Sequence, residues 1–123
     1  MRYKVLYVDD EKSNLRIFKD SFRRDFEVFV ATSGIEALDF LENTMVDLVI
    51  TDQRMPEMTG VELLKRITER FEDLPYNRLI LSGYAEDSEI EKAFTNYHLS
   101  RFVTKPWNYN DLKTIITNSI ETN

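Results

Sequence analysis

Four short apolar runs in this chain each stop at a residue able to do polar chemistry, and that repetition constrains the fold more than any other feature. Val5-Leu6-Tyr7-Val8 ends at Asp9-Asp10, Leu48-Val49-Ile50-Thr51 at Asp52, Leu79-Ile80-Leu81 at Ser82, and Phe102-Val103-Thr104 at Lys105. Were the runs parallel strands of one sheet, their polar ends would gather at a single edge. Three carboxylates, a hydroxyl and an ammonium would then share one pocket, a set suited to a divalent cation and a phosphoryl group.

The segments between these runs have helical spacing. Leu15, Phe18 and Phe22 define a first helix, and Ile35, Leu38 and Leu41 a second. Val61, Leu64, Ile67 and Phe71 define a third, Ile90, Ala93, Phe94 and Tyr97 a fourth, and Leu112, Ile115, Ile116 and Ser119 a fifth. Ser33-Gly34-Ile35-Glu36 and Thr59-Gly60-Val61-Glu62 read as capping boxes. Ser88 with Glu91 is expected to open the fourth helix, and Asn108 or Asn110 the fifth. Glu27–Ala31, β-branched and aromatic, supplies one more strand. Five strands alternating with five helices predict an α/β domain whose parallel sheet is covered on both faces. In such sheets the ligand crevice lies beyond the carboxyl ends of the strands.

Bulk properties narrow the function. The 123 residues suit one domain, spanning residues 1–123. The formal net charge of -6 argues against direct contact with nucleic acid. With no cysteine, thiolate metal sites and disulfides are excluded. No apolar stretch reaches the length of a membrane span, so a cytoplasmic protein with no membrane contact is expected. Three glycines make no G-x-G-x-x-G or Walker loop, which weakens a nucleotide- or flavin-binding reading.

Asp9, Asp10 and Asp52 carry the chemical argument. Gathered carboxylates repel one another, and a hard cation such as Mg²⁺ relieves that repulsion through oxygen ligands and retained waters. Asp9 and Asp10, taken alone, would also suit capping of the helix after them. Lys105 supplies the opposing charge, although a lysine is ordinarily a solvated residue; the bond to Pro106 is of the kind that adopts the cis form, which would aim the lysine inward. Ser82, before Gly83, suits a turn as well as a phosphoryl contact. Together these groups fit phosphoryl transfer onto the Asp52 carboxylate, already ionised at neutral pH and needing no general base. His98, the sole histidine, is then free to be a surface residue.

V-D-D near the start, T-D-Q-R-M-P around Asp52, L-S-G after the fourth strand and F-V-T-K-P near the end resemble the receiver domain of two-component response regulators, in order and along essentially the whole chain. The resemblance implies a flavodoxin-like (βα)5 doubly wound sheet of strand order 2-1-3-4-5. It implies that Asp52 accepts a phosphoryl group from a sensor histidine kinase or phosphotransfer protein. It implies Mg²⁺ held directly by Asp10, Asp52 and the Arg54 carbonyl and through water by Asp9, with Ser82 and Lys105 on the phosphoryl oxygens. Phe102 matches the family's switch aromatic, turning inward as Ser82 moves and reshaping the surface of the fourth helix, fifth strand and fifth helix. The partner implied there is a downstream effector or a fused output domain, with a homodimer as a further arrangement; catalysis would be confined to the domain's own phosphorylation and dephosphorylation.

Arg54 and Tyr84 depart from the chemotaxis-type pattern by their bulk, and both are expected to slow hydrolysis of the phosphoaspartate. Lys105-Pro106-Trp107 with D-Q-R-M-P and L-S-G-Y is similar to receivers joined to effectors such as cyclic-dinucleotide phosphodiesterases. Two other readings remain: an Mg²⁺-dependent phosphohydrolase with an aspartate nucleophile, and a receiver-like scaffold that is never phosphorylated. Against the hydrolase, Asp9 and Asp10 are adjacent rather than two apart.

Overall fold

Each apolar run becomes a strand in the computed structural model, which describes residues 2–75, 77–83 and 88–122. The elements alternate as β1 (Lys4–Val8), α1 (Lys12–Phe22), β2 (Glu27–Ala31), α2 (Gly34–Leu41), β3 (Leu48–Thr51), α3 (Gly60–Arg70), β4 (Arg78–Ser82), α4 (Ser88–Asn96), β5 (Leu99–Thr104) and α5 (Tyr109–Glu121). All strand pairings are parallel and the order is β2-β1-β3-β4-β5, as the resemblance implies. The central strands β3 and β4 are buried along their whole length, which accounts for the unbroken apolar runs Leu48–Ile50 and Leu79–Leu81 within them.

Alternation along β1 divides the core in two. Leu6 and Val8 face one side with α2, α3 and α4, among them Ala37, Leu38, Leu64, Ile67 and Ala93. Val5 and Tyr7 face the other with α1 and α5, through Leu15, Phe18, Phe22, Leu112 and Ile116. Successive side chains of a strand point to opposite faces, so one strand feeds both cores.

The caps of α3 and α5 follow the sequence, and that of α2 does so in part. Thr59 and Glu62 form the full capping box of α3, and the Asn108 side chain accepts from Asp111 N–H at the start of α5. At α2, Ser33 Oγ accepts from Glu36 N–H at 3.1 Å, but the Glu36 carboxylate reaches back to the N–H and hydroxyl of Thr32 instead of Ser33. The helix α4 begins at Ser88, whose side chain, expected to cap it, lies outside the described residues.

The inward face of α2 also differs from expectation. Ile35 is 54% exposed, and the buried positions are Gly34, Ala37, Leu38 and Leu41. That set keeps the i, i+3, i+4, i+7 spacing of a helix face; Ile35 falls outside it, at a turn where Gly34 packs under Met58. Phe94 of α4 likewise points outward, 47% exposed, while Ile90 and Ala93 are buried.

Glu57, in the loop between β3 and α3, adopts φ 68°, a left-handed conformation that disfavours a Cβ. Glu57→Gly is expected to raise stability by about 0.5–1 kcal/mol, the relief of the Cβ clash exceeding the added freedom of the unfolded chain. A urea midpoint at or below that of the parent protein would contradict this.

Candidate phosphoryl-acceptor site

The sheet register brings the polar residues to one edge. Val8 of β1 pairs with Thr51 of β3, and Ile80 of β4 pairs with Thr51, so Asp9 and Asp52 follow neighbouring strand ends. The ladder continues one residue further on each side: Asp9 N–H donates to Ala31 O, Asp52 N–H to Val8 O and Lys105 N–H to Ser82 O, at 2.8–3.1 Å. The backbone at each of these three residues is thereby fixed by a neighbouring strand.

Carboxylate oxygens of Asp9, Asp10 and Asp52 lie within 4.8 Å of one another. Asp9 and Asp52 are buried whereas Asp10 is exposed, so the cluster opens to solvent on one side. The Lys105 ammonium reaches into it, 3.2 Å from Asp9 Oδ2 and 3.5 Å from Asp52 Oδ1. The Lys105–Pro106 bond is cis. Ser82 is buried at the end of β4, opposite Thr104 in the register, and Arg54 is exposed two residues beyond Asp52. Phe102 is half-buried on β5, beside Ile80, and packs against the core under α4. Tyr84 lies outside the described residues. His98 is half-buried just past α4 in a left-handed conformation (φ 59°), and its pKa is lowered, first by burial and then by the charge of Arg78.

Other residues at the site gave no signal in the sequence. The Tyr7 hydroxyl donates to Asp9 Oδ2 at 2.6 Å, the Asn14 amide to the same oxygen at 3.2 Å, and Glu11 N–H to Asp9 Oδ1 at 3.0 Å. Gln53 clamps the acceptor loop to α3: its side-chain oxygen accepts from Val61 N–H at 2.9 Å and its backbone carbonyl from Gly60 N–H at 3.0 Å. Tyr7 reads in the sequence as one more apolar strand residue, and Asn14 and Gln53 as ordinary polar neighbours. Only the i, i+2 relation of Tyr7 to Asp9, which puts both on one face of an extended chain, could have pointed to the first contact.

The Asp52 carboxyl titrates above its usual range. Burial raises it most; Lys105 opposes this, the negative charge of Asp9 adds to it, and the Gln53 N–H lowers it. The Tyr7 phenol is held far above its ordinary value, first by burial and then by the bond to Asp9, so it stays a donor. Because folded Asp52 binds its proton more readily than the unfolded chain does, its ionisation weakens the folded state. That contribution is fully favourable below the ordinary value of 3.8 and is lost as the pH rises through the raised value. In metal-free buffer Asp52→Asn is therefore expected to have a higher urea midpoint than the parent protein at neutral pH, with the gap closing on acidification. A lower midpoint at neutral pH would contradict that balance of forces.

Three carboxylates opening to solvent, one of them disfavoured in its charged form, make an oxygen-rich set that fits a hard divalent cation. Among the described residues no helix is long and apolar enough to cross a membrane.

Comparison with known proteins agrees with this geometry. The family model of the response regulator receiver domain matches residues 5–117. The signal receiver domain of an HD domain-containing protein from Pseudomonas fluorescens Pf-5 superposes with a TM-score of 0.90 at 27% identity, over 99% of this chain and 97% of that one. A response regulator receiver domain protein from Clostridium thermocellum does so with a TM-score of 0.82 at 30% identity, over 98% and 95%. The hydrogenase transcriptional regulatory protein HoxA of Bradyrhizobium diazoefficiens is 33% identical over 117 residues, which is 95% of this chain but 24% of that protein. The chain thus spans about a quarter of the length of that relative, over the stretch they share. Sequence, sheet order and strand-end chemistry converge, and the chain belongs to the response regulator receiver domain family.

Proposed function

We propose that this domain, residues 1–123, receives a phosphoryl group on Asp52 from a phosphohistidine of a sensor kinase or phosphotransfer protein and signals through protein contacts. The observation that carries the reading is the Asp52 carboxylate at the end of a central strand, grouped with Asp9 and Asp10 and 3.5 Å from the Lys105 ammonium. The oxygen–phosphorus bond to Asp52 forms as the nitrogen–phosphorus bond of the donor breaks, and the histidine nitrogen leaves with the electron pair. Asp52 attacks as the carboxylate, so no base is needed. Its raised pKa marks an anion that is poorly solvated, which favours its use as a nucleophile.

Mg²⁺ is the cation this set would hold: directly by Asp10, Asp52 and the Arg54 carbonyl, and through water by Asp9, which is already engaged by four donors. When bound it offsets the charge of the carboxylates and the phosphoryl oxygens. Lys105 stands ready to pair with a phosphoryl oxygen, and the Ser82 hydroxyl, from the next strand, to donate to another. Movement of Ser82 toward the phosphoryl group shifts the population of Phe102 rotamers and with it the surface of α4, β5 and α5. That surface would address an effector protein or an output domain fused to the receiver, or a second copy of the domain. An effector of the HD type is one form of output, since the similar Pseudomonas receiver is part of an HD domain-containing protein. The bulk of exposed Arg54 at the mouth of the site favours slow hydrolysis of the phosphoaspartate. The domain works in the cytoplasm and turns over no substrate beyond its own phosphoryl group.

Incubation with acetyl phosphate and Mg²⁺, followed by intact mass, tests the reading. One phosphoryl adduct is expected, absent with chelator and absent in Asp52→Asn. An adduct that survives in Asp52→Asn would overturn it.

A further inference from the structure

Asp9 is completely buried, and the donors around its carboxylate are unequally shared. Oδ1 accepts from Glu11 N–H, whereas Oδ2 receives three: Tyr7 hydroxyl at 2.6 Å, Asn14 amide at 3.2 Å and Lys105 ammonium at 3.2 Å. A carboxylate oxygen offers about two lone-pair sites, so the three donors compete. The phenol has the shortest bond and the least freedom. Tyr7 is 1% exposed and its ring lies 4.4 Å from that of Phe18, centroid to centroid. Lys105, by contrast, is a quarter exposed on a flexible stem and already faces Asp52 at 3.5 Å. Two neutral donors built into β1 and α1 can satisfy Oδ2 without the lysine.

We propose that Tyr7 is a positioning residue for phosphoryl acceptance: its hydroxyl, with the Asn14 amide, occupies Asp9 Oδ2 and so frees Lys105 to turn toward the Asp52 oxygens. The proposal rests on the acceptor reading of Asp52. Without the phenol, Oδ2 keeps only the Asn14 amide and the lysine, and Asp9 and Lys105 close into a tighter pair. The cation site and the phosphoryl site then both compete with that pair. The effect of Tyr7 therefore runs through Lys105, which separates it from a role in packing alone.

The test is calorimetric titration of the intact protein with Mg²⁺, for the parent, Tyr7→Phe, Lys105→Ala and the double variant. The rate of acetyl phosphate labelling at saturating Mg²⁺ is measured alongside for the parent and Tyr7→Phe. Phenylalanine retains the ring against Phe18, so the fold is expected to hold; Asn14→Ala, at a half-buried helix position, provides a second variant acting on the same oxygen. Tyr7→Phe is expected to weaken Mg²⁺ binding about tenfold, the worth of one hydrogen bond to a charged group, and to slow labelling by a similar factor. Asn14→Ala is expected to act in the same direction by less. In the Lys105→Ala background, Tyr7→Phe is expected to leave Mg²⁺ affinity unchanged. Equal losses with and without Lys105, or no loss at all, overturn the proposal. Parent protein that binds Mg²⁺ and is labelled, with Tyr7→Phe indistinguishable from it, overturns this proposal alone. Parent protein that does neither overturns the acceptor reading as well.

Discussion

Gly60→Ala is expected to destabilise the domain by about 2–3 kcal/mol, an overpacking cost, and to slow phosphoryl acceptance at Asp52 by about a hundredfold. A Cβ at Gly60 would sit 2.4 Å from the backbone carbonyl oxygen of Asp52, and 3.1 Å from Gln53 Oε1 and from Thr51 Cγ2. The first turn of α3 lies directly over the end of β3, drawn there by the Gly60 N–H and Val61 N–H bonds to Gln53. The nearest obstacle is backbone, which cannot swing aside, so relief requires either α3 or the Asp52 peptide to move. Displacement of the acceptor by as little as an ångström is enough to lose near-attack geometry. Gly34 is the internal control. Its Cβ would also meet an atom at 2.4 Å, but that atom is Met58 Sδ, at the flexible end of a side chain. Gly34→Ala should therefore cost less and leave labelling by acetyl phosphate near that of the parent. Equal rates for Gly60→Ala and the parent would show that α3 does not hold the acceptor loop in place.

Phe18→Ala is expected to cost about 3–5 kcal/mol, the usual range for emptying a buried phenylalanine site. Phe18 has no exposed surface and is the hub of an aromatic group that joins the site to α5. Its ring centroid lies 4.4 Å from Tyr7, 4.8 Å from Phe22 and 6.2 Å from Trp107, and Phe22 in turn stacks on Tyr109 at 5.2 Å. Tyr109 hydroxyl donates to Asp25, which also pairs with Lys113 at 3.1 Å. Domains of this size have total stabilities of about 5–15 kcal/mol, so the variant is left near the edge of folding. Urea unfolding followed by Trp107 emission measures it, since that tryptophan is the only one in the chain. A change under about 1 kcal/mol would mean that the α1 face collapses onto the gap, contrary to close packing around this ring.

Much of this domain is legible in its amino-acid sequence. The strand ends were legible because each apolar run stops abruptly at a polar residue, and a parallel sheet leaves those residues only one edge to share. Asp9, Asp10, Asp52 and Lys105 accordingly meet, as the alternation of strands and helices requires. What failed to show were residues whose role depends on the partner they meet. Tyr7 counts as apolar in a strand pattern, and its hydroxyl acquires meaning only from Asp9 two residues on. Gln53 is buried to serve the opening N–H groups of α3, a task that periodicity does not encode. Arg78, fully buried at the start of β4, donates to Thr68 Oγ1 at 2.7 Å and to Tyr97 O, and a basic residue beside an apolar run reads instead as the solvent boundary of the strand. At α2 the error runs the other way. Ile35 reads as core by its hydrophobicity, yet the face is set by Gly34 and Ala37, whose small size lets the helix approach the core.

The central claim is that the phosphoryl group goes to Asp52, and trapping the acyl phosphate tests it most directly. Protein labelled with acetyl phosphate and Mg²⁺ is reduced with borohydride, which converts a phosphorylated aspartate to homoserine, then digested and sequenced by mass. Homoserine is expected at position 52 alone. Homoserine at position 9 or 10, or a phosphoryl adduct that survives reduction on another side chain, would contradict the claim.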